Sequence, residues 1–221
     1  MVVGGSYPGA MSAWFRSRYP HIAAGSWASS AVVQPIVDFQ QYDKQTYTST
    51  VKSGDFCPDM IRSSTEYVTE QAKIRDAGEA DNYITRTLAN TDVPNLRSDD
   101  WLSYYADIPA GAVQYGGRTA LCDYLKPHLG ESDEKIADAL QQYDGGSNPA
   151  DYDRTIIAST VIDPMSSGRP WTFQYCTEYG WFQSMSTEQP MRSPVVDAAY
   201  FSQMCADAFE GLDMTNYPKA E

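Results

Sequence analysis

The stretch MVVGGSYPG at residues 1–9 constrains the chain more than any other. Val2 and Val3 are β-branched and read as the end of a buried strand. Gly4, Gly5 and Ser6 read as a turn. From Pro8 to about Arg18 the apolar residues Ala10, Met11, Trp14 and Phe15 recur at helical spacing. Tyr19-Pro20 ends that helix, because a residue before proline avoids the α region. IAAGSWASSAVV then reads as a second short buried strand. The opening is therefore strand, turn, helix, strand, and its two strands should run parallel.

The character changes near Pro35. From Asp38 to Ile162 the pattern is mostly helical and polar-faced. Ser63 and Glu66 have capping-box spacing ahead of YVTEQAKIRDAGEADNYITRTLAN. ESDEKIADALQQY carries acids in its first turn, as a helix dipole prefers, and NPADYDRTIIAST is a further helix. SPVVDAAYFSQMCADAFEG has Ser193 as its cap, Pro194 at the first helical position and Gly211 as its stop. No internal repeat or low-complexity tract is visible. The expected organisation is an α/β core segment over 1–36, a helical insertion over 37–162 and a return to the core over 163–221.

With 221 residues, the chain can bury a substantial core. A formal charge of -13 excludes nucleic acid and anionic membrane surfaces as partners. No apolar run approaches the roughly 20 residues of a membrane span. Met1 is followed by neither a basic segment nor an apolar one of adequate length, so no signal peptide is expected in this chain. Four cysteines without a CxxC pair, and two histidines, argue against a metal site. Spacing alone leaves the cysteines as free buried thiols or as two disulfides; the second reading implies a secretory or lysosomal setting. No Asn-x-Ser/Thr sequon occurs.

Ser6 is the candidate nucleophile. A nucleophile elbow places its serine on a tight strand-to-helix turn, with small residues two positions to either side. Gly4 meets that need before Ser6. Pro8 replaces the second glycine, which a first helical turn tolerates because the N–H that proline lacks would have no helical partner there. The backbone N–H of Tyr7 would serve as oxyanion donor, at the positive end of the helix dipole. The plainer alternative is an ordinary glycine–serine turn before a helix.

The longer stretch GGSYPGAMSAWFRSRYPHIAAGSWASSAVVQPIVDFQQY closely resembles the signature of the S28 serine peptidases. WTFQYCTEYGWFQ, from Trp171, resembles that family's Trp-x-x-Gln-x-Cys-Thr-Glu block, and FSQMCADAFEG, from Phe201, is a weaker match. The Pro8 variant looks like one used in fungal-type members. The resemblance implies a partial α/β-hydrolase core with an inserted, mainly helical cap, the SKS domain. It implies a serine-type exopeptidase, either a proline-directed carboxypeptidase or a dipeptidyl peptidase. Such an enzyme acts by acyl-enzyme chemistry, without a cofactor, on peptides with proline near a terminus. It also implies a secreted, lysosomal or vacuolar parent protein. Ser6 takes the nucleophile role and Tyr7 the oxyanion role by motif match. By position the cysteines match family bridges, Cys57–Cys122 within the cap and Cys176–Cys205 joining the Thr-Glu block to the late helix. Trp171, Phe173, Tyr179, Trp181 and Phe182 could line a proline-accepting pocket, although some must be core. Glu178 could bind a substrate's free amino group. The tyrosine-rich segment WLSYYADIPAGAVQYGG reads as cap packing.

A serine needs a base beside it, and α/β-hydrolases bring Asp and then His after the serine. His21 follows the helix end and reads as packing or capping there. His128 falls in the insertion and reads as structural or solvent-facing. Asp213, in EGLDMTN, has no strand before it and reads as helix C-cap chemistry. TNYPKAE resembles the linker ahead of the family's Asp strand. The expectation is a piece of a longer enzyme, lacking the Asp and His of the triad and inactive by itself. The alternatives are a catalytically dead paralogue that binds substrate or partners, and an ester hydrolase on the same scaffold. The peptidase-like block from Trp171 argues against the second.

Overall fold

The computed structural model describes residues 1–143 and 147–218. The chain folds as two compact units, Met1–Ile36 and a larger one that begins at Val37. In the first unit, β1 (Val2–Gly5) leads into α1 (Ser6–Arg18), and the chain returns through β2 (Ser26–Ser29). The two strands pair in parallel, with Val2 opposite Ser26 and Gly5 opposite Ser29. α1 begins at Ser6, two residues earlier than periodicity suggests, and carries Arg16 and Arg18 in its last turn, where the dipole favours cations. Ala10 and Ser12 are buried, and the Trp14 indole N–H donates to the Val33 carbonyl at 3.0 Å. The strands are not buried on both faces: Val3 is 67% and Trp27 62% exposed. Side chains alternate along a strand, so a single helix covers one register of β1 and leaves Val3 on the other.

The second unit is helical, with a minor two-stranded sheet of β3 (Ile36–Asp38) and β4 (Gly180–Phe182). The helices are α2 (Gln40–Thr50), α3 (Phe56–Asp76), α4 (Tyr83–Leu88), α5 (Ser98–Gln114), α6 (Arg118–Leu125), α7 (Asp133–Gln142), α8 (Arg154–Ala158), α9 (Gly168–Gln174) and α10 (Ala198–Ala208). α3 buries Cys57, Ile61, Ser64, Thr65, Val68 and Ala72, one stripe at helical spacing, against α5 and α7. The tyrosine-rich α5 supplies the centre of the core. The fully buried Trp101 stacks on Tyr105, with ring centroids 5.2 Å apart, and meets Tyr83 edge-on at 6.0 Å.

Ser63 caps nothing: α3 has already begun at Phe56, and the Ser63 hydroxyl donates to the Met60 carbonyl. The long helical pattern beyond it breaks after Asp76 and restarts at α4, where Asn82 accepts from the Thr85 N–H at 2.8 Å. Residues 149–158 split into a 3₁₀ turn and α8, because Asp153 accepts from the Thr155 N–H and starts a new helix. The last helix starts not from Ser193 but from Asp197, whose carboxylate accepts from the Tyr200 N–H at 2.8 Å.

Two disulfides close the unit. Cys57–Cys122 ties the start of α3 to α6, and Cys176–Cys205 ties the segment after α9 to α10. Two buried arginines add ionic ties. Arg154 donates from Nε to both Asp100 oxygens at 3.0 Å, from Nη1 to Asp207 at 2.6 Å and from Nη2 to Asp99 at 2.9 Å. The Tyr200 hydroxyl also donates to Asp100, at 3.0 Å. Arg192 donates to Asp107, and its Nε lies 3.8 Å from Asp43 Oδ1.

Two predictions follow from these ties. Closing loops of 65 and 29 residues stabilises by about 3.5–4.5 kcal/mol each in the chain-entropy model. Urea unfolding of Cys57→Ser/Cys122→Ser should show a loss of that size; an unchanged midpoint would refute the assignment.

The second prediction concerns pH. Burial pushes the Asp100 carboxyl up to about 6, against the pull of Arg154. An unfolded chain releases that proton near 3.8. Between these values the folded state holds more protons, so this stabilisation is complete below the unfolded value and is lost as pH rises through the folded one. Asp99, held below its usual range, acts in the opposite sense only at more acidic pH. Stability should therefore rise by about 2 kcal/mol between pH 7 and pH 4.5 on account of Asp100. Denaturation across that range should show the slope in the native protein and its loss in Asp100→Asn.

Candidate active site

The turn between β1 and α1 is built by close packing. Ser6 takes a φ of 53°, the left-handed region, at a cost of about 1–2 kcal/mol for a side chain of L configuration. That conformation turns the chain abruptly from strand to helix and leaves Ser6 exposed at the tip. Gly4 is what lets the turn close: a Cβ there would sit 2.2 Å from the Pro8 carbonyl oxygen and 2.7 Å from the Gly9 nitrogen. Gly5 is different, since the nearest atom to a Cβ there is 3.8 Å away. Tyr7 follows Ser6 in the first turn of α1. A hydroxyl and a backbone N–H on consecutive residues, at the positive end of a thirteen-residue helix, suit attack on a carbonyl and binding of the oxyanion.

The second unit holds the other candidates. Residues Tyr175–Tyr179 form one π-helical turn after α9, a feature frequent at functional sites. Gly180 and Trp181, the first two residues of β4, then both take positive φ, 73° and 54°. A tryptophan in that region is an outlier that its surroundings must enforce. Here Trp181 lies between two rings, Tyr179 at 4.7 Å and Trp171 at 6.1 Å, all nearly parallel. Trp181 is almost buried while Trp171 is 38% exposed, so the stack ends at the surface. Glu178 is exposed on the same turn. Phe173 is half-exposed, with its ring edge on Phe209. Phe182 is fully buried, stacked on Phe201 beside Cys176 and Cys205, and is core.

The remaining titratable candidates sit as follows. His21 is exposed beyond the far end of α1, a helix that spans about 18 Å from Ser6 to Arg18 at 1.5 Å per residue. His128 Nδ1 is 2.8 Å from Glu131 Oε2 on a short 3₁₀ turn. Asp213 does not cap α10, which ends at Ala208. Its carboxylate accepts from Thr215 N–H at 3.0 Å, Thr215 Oγ1 at 2.6 Å and Asn216 Nδ2 at 2.6 Å, closing a turn of its own. Among the described residues no group of three or more His, Cys, Asp or Glu side chains is placed to hold a metal ion. No helix among them is long and apolar enough to cross a membrane. The π turn and the strained Trp181 leave no direct signal in the sequence; the nearest is the glycine set between Tyr179 and Trp181.

Comparison with known proteins places this geometry. The family model described as serine carboxypeptidase S28 matches residues 1–217. The chain is 31% identical over 228 residues to the probable serine protease EDA2 of Arabidopsis thaliana, covering 99% of this chain and 43% of that protein. It is 26% identical to the lysosomal Pro-X carboxypeptidase of Bos taurus, over 80% of this chain and 39% of that one. It is 27% identical to the thymus-specific serine protease of Homo sapiens, over 81% and 39%. The chain thus spans about two fifths of the length of these curated relatives. The match along nearly the whole chain, with Ser6 inside it on a strained strand-to-helix turn, makes this chain a member of the serine carboxypeptidase S28 family of serine-type peptidases.

Proposed function

We propose that the chain carries the nucleophile-bearing part of a serine exopeptidase that cleaves beside proline, as a carboxypeptidase or a dipeptidyl peptidase. The observation that supports this most is Ser6 at φ 53° between β1 and α1, with Gly4 packed against the Pro8 carbonyl. In this reading Ser6 Oγ attacks the scissile carbonyl carbon while a base takes its proton. The carbonyl oxygen becomes an oxyanion facing the Tyr7 N–H. The C–N bond then breaks, the base returns the proton to the leaving amine, and an ester remains on Ser6 until water hydrolyses it. No cofactor takes part.

A base must lie within about 3 Å of the serine oxygen. In this reading neither His21, beyond the far end of α1, nor His128, in the insertion, is the base; the base and its carboxylate partner follow the serine in the Asp-then-His order of α/β-hydrolases and come from outside these residues. Residues 1–36 and 163–221 then belong to an α/β-hydrolase core, and 37–162 to the SKS cap that restricts entry to chain ends. The Trp171–Trp181–Tyr179 stack offers a flat apolar surface for a proline ring, and the exposed Glu178 an anchor for a free amino group. An oxidising, acidic compartment, secreted or lysosomal, fits the two disulfides and the acid-favoured Asp100. The bovine relative's name, with its lysosomal Pro-X carboxypeptidase, points the same way.

Two experiments test the reading. Given a fluorophosphonate probe and a Pro-X peptide, the 221-residue chain should turn over no peptide, since loss of a triad base removes a factor of about 10⁶. In the full-length enzyme Ser6→Ala should cost about the same factor. Turnover by the short chain would refute the account of the base, and an active full-length Ser6→Ala would refute the nucleophile.

The second contrasts two glycines. In the full-length enzyme Gly4→Ala should lower kcat/KM by about 10²-fold or more, because the displaced turn misplaces Ser6. Gly5→Ala, with open space at its Cβ, should stay near the parent rate. Equal losses would show that the packing at Gly4 does not shape the turn.

A further inference from the structure

Residues 159–168 form the longest run of wholly exposed residues among those described. Val161 is 84%, Ile162 91% and Met165 92% exposed. From Ser159 to Ser167 the chain has no regular secondary structure. Its hydrogen bonds among the described residues are local: the Val161 N–H donates to Ser159 Oγ, Met165 N–H to Asp163 Oδ1 and Ser166 N–H to the Asp163 carbonyl. Ser159–Ile162 is thus exposed, irregular backbone whose N–H bonds reach no further than three residues, so a protease that pairs with it breaks only weak local hydrogen bonds, the condition under which exposed loops are nicked.

Both ends of this segment are fixed. Arg154, in the helix before it, is held by three carboxylates. After it, Arg169 donates to the Ile157 carbonyl at 2.7 Å and to the Ala208 carbonyl at 3.2 Å, with its guanidinium over the Phe209 ring. A break in between would not free either flank. Each disulfide falls within one piece, Cys57–Cys122 before the segment and Cys176–Cys205 after it. The pieces would be held without a covalent link. The Phe39 N–H donates to the Phe182 carbonyl at 2.7 Å, Tyr200 bonds to Asp100, and Met191 and Val196 pack in the same core as Trp101.

We propose that Ser159–Ser167 is an endoproteolytic processing site, cut at Val161–Ile162 by an endoprotease selective for branched aliphatic side chains. Water adds across the amide bond, leaving a carboxylate on Val161 and an amine on Ile162. Neither Lys, Arg nor an aromatic residue occurs between Arg154 and Arg169, so proteases that require a basic or aromatic residue are excluded. Ile22, the other strongly exposed isoleucine, lies in a turn where its N–H donates to the Tyr19 carbonyl, which disfavours a first cut there.

The test is brief digestion of the purified chain with thermolysin, with the first cut mapped by mass spectrometry. The expected first cut lies between Thr160 and Met165. The two pieces should co-elute on a native sizing column and separate in detergent without reductant. Val161→Glu/Ile162→Glu should slow that cut at least about tenfold with an unchanged melting temperature, since both side chains are exposed. Protein isolated from its own cells should already run as two pieces under non-reducing denaturing conditions. A first cut elsewhere, pieces that part on the native column, an equally fast cut in the variant, or a single full-length band from cells would each overturn the proposal.

Discussion

Arg154 and Arg192 stand late in the second unit and reach back to carboxylates on its early helices, Asp99, Asp100 and Asp107 on α5 and Asp43 on α2. Other long-range ties of the unit converge on the same carboxylates. Asp43 accepts from the Ser186 and Met191 N–H groups at 2.9 and 3.1 Å, so the irregular chain after β4 lies along α2. Tyr200 brings α10 to the same Asp100 that Arg154 holds. Lysine could not substitute. A guanidinium presents donors in three directions in one plane, which is how Arg154 meets three carboxylates at once. The arrangement is not free: Asp43 Oδ1 and Arg192 Nε and Nη1 have no hydrogen-bond partner among the described residues. With such gaps, the desolvation of this buried pair offsets much of its Coulombic attraction.

The same clusters bear on the chain's acidity. A net charge of -13 opposes compaction near neutral pH. Placing carboxylates such as Asp43 and Asp100 where burial raises their pKa moves part of that repulsion out of the folded state as the medium acidifies. The acidic composition and the buried carboxylates therefore favour the fold under the same mildly acidic conditions. Composition alone could not distinguish this from a surface adapted for solubility.

Local chemistry is legible in the sequence, and distant pairing is not. The β1–α1–β2 order follows from β-branched residues, a small-residue turn and helical periodicity, all within thirty residues of one another. The turn that holds Ser6 is legible for the same reason: its closure depends on neighbours in sequence, Gly4 and Pro8. Capping spacing misleads at Ser63 because the Ser-x-x-Glu pattern carries no information on whether a helix has already started. Proline misleads at 194 because a turn accepts it as readily as a first helical position does, and Asp197 competes for the cap. The arginine clusters are silent in sequence. Their partners lie 53 to 149 residues away, and nothing near Arg154 or Arg192 marks them as buried.

Ser6 and Trp181 show how strain is held in each unit. Neither residue favours positive φ by its own nature. Ser6 is held by strand pairing on one side and by the Gly4–Pro8 approach on the other, so the turn has no room to relax. Trp181 is held by flanking rings and by the Cys176–Cys205 bridge, which fixes the π-helical turn just ahead of it. In both places the constraint comes from groups packed against the outlier or its immediate neighbours, some of them distant in sequence, and in both the strained residue adjoins an exposed group, the Ser6 hydroxyl itself or the face of Trp171. Backbone strain persists only where its surroundings over-determine it. Under the proposed function a peptidase has reason to retain it at two positions of this kind, one where the proposed nucleophile stands clear of its backbone and one where a flat ring is offered to a substrate's proline.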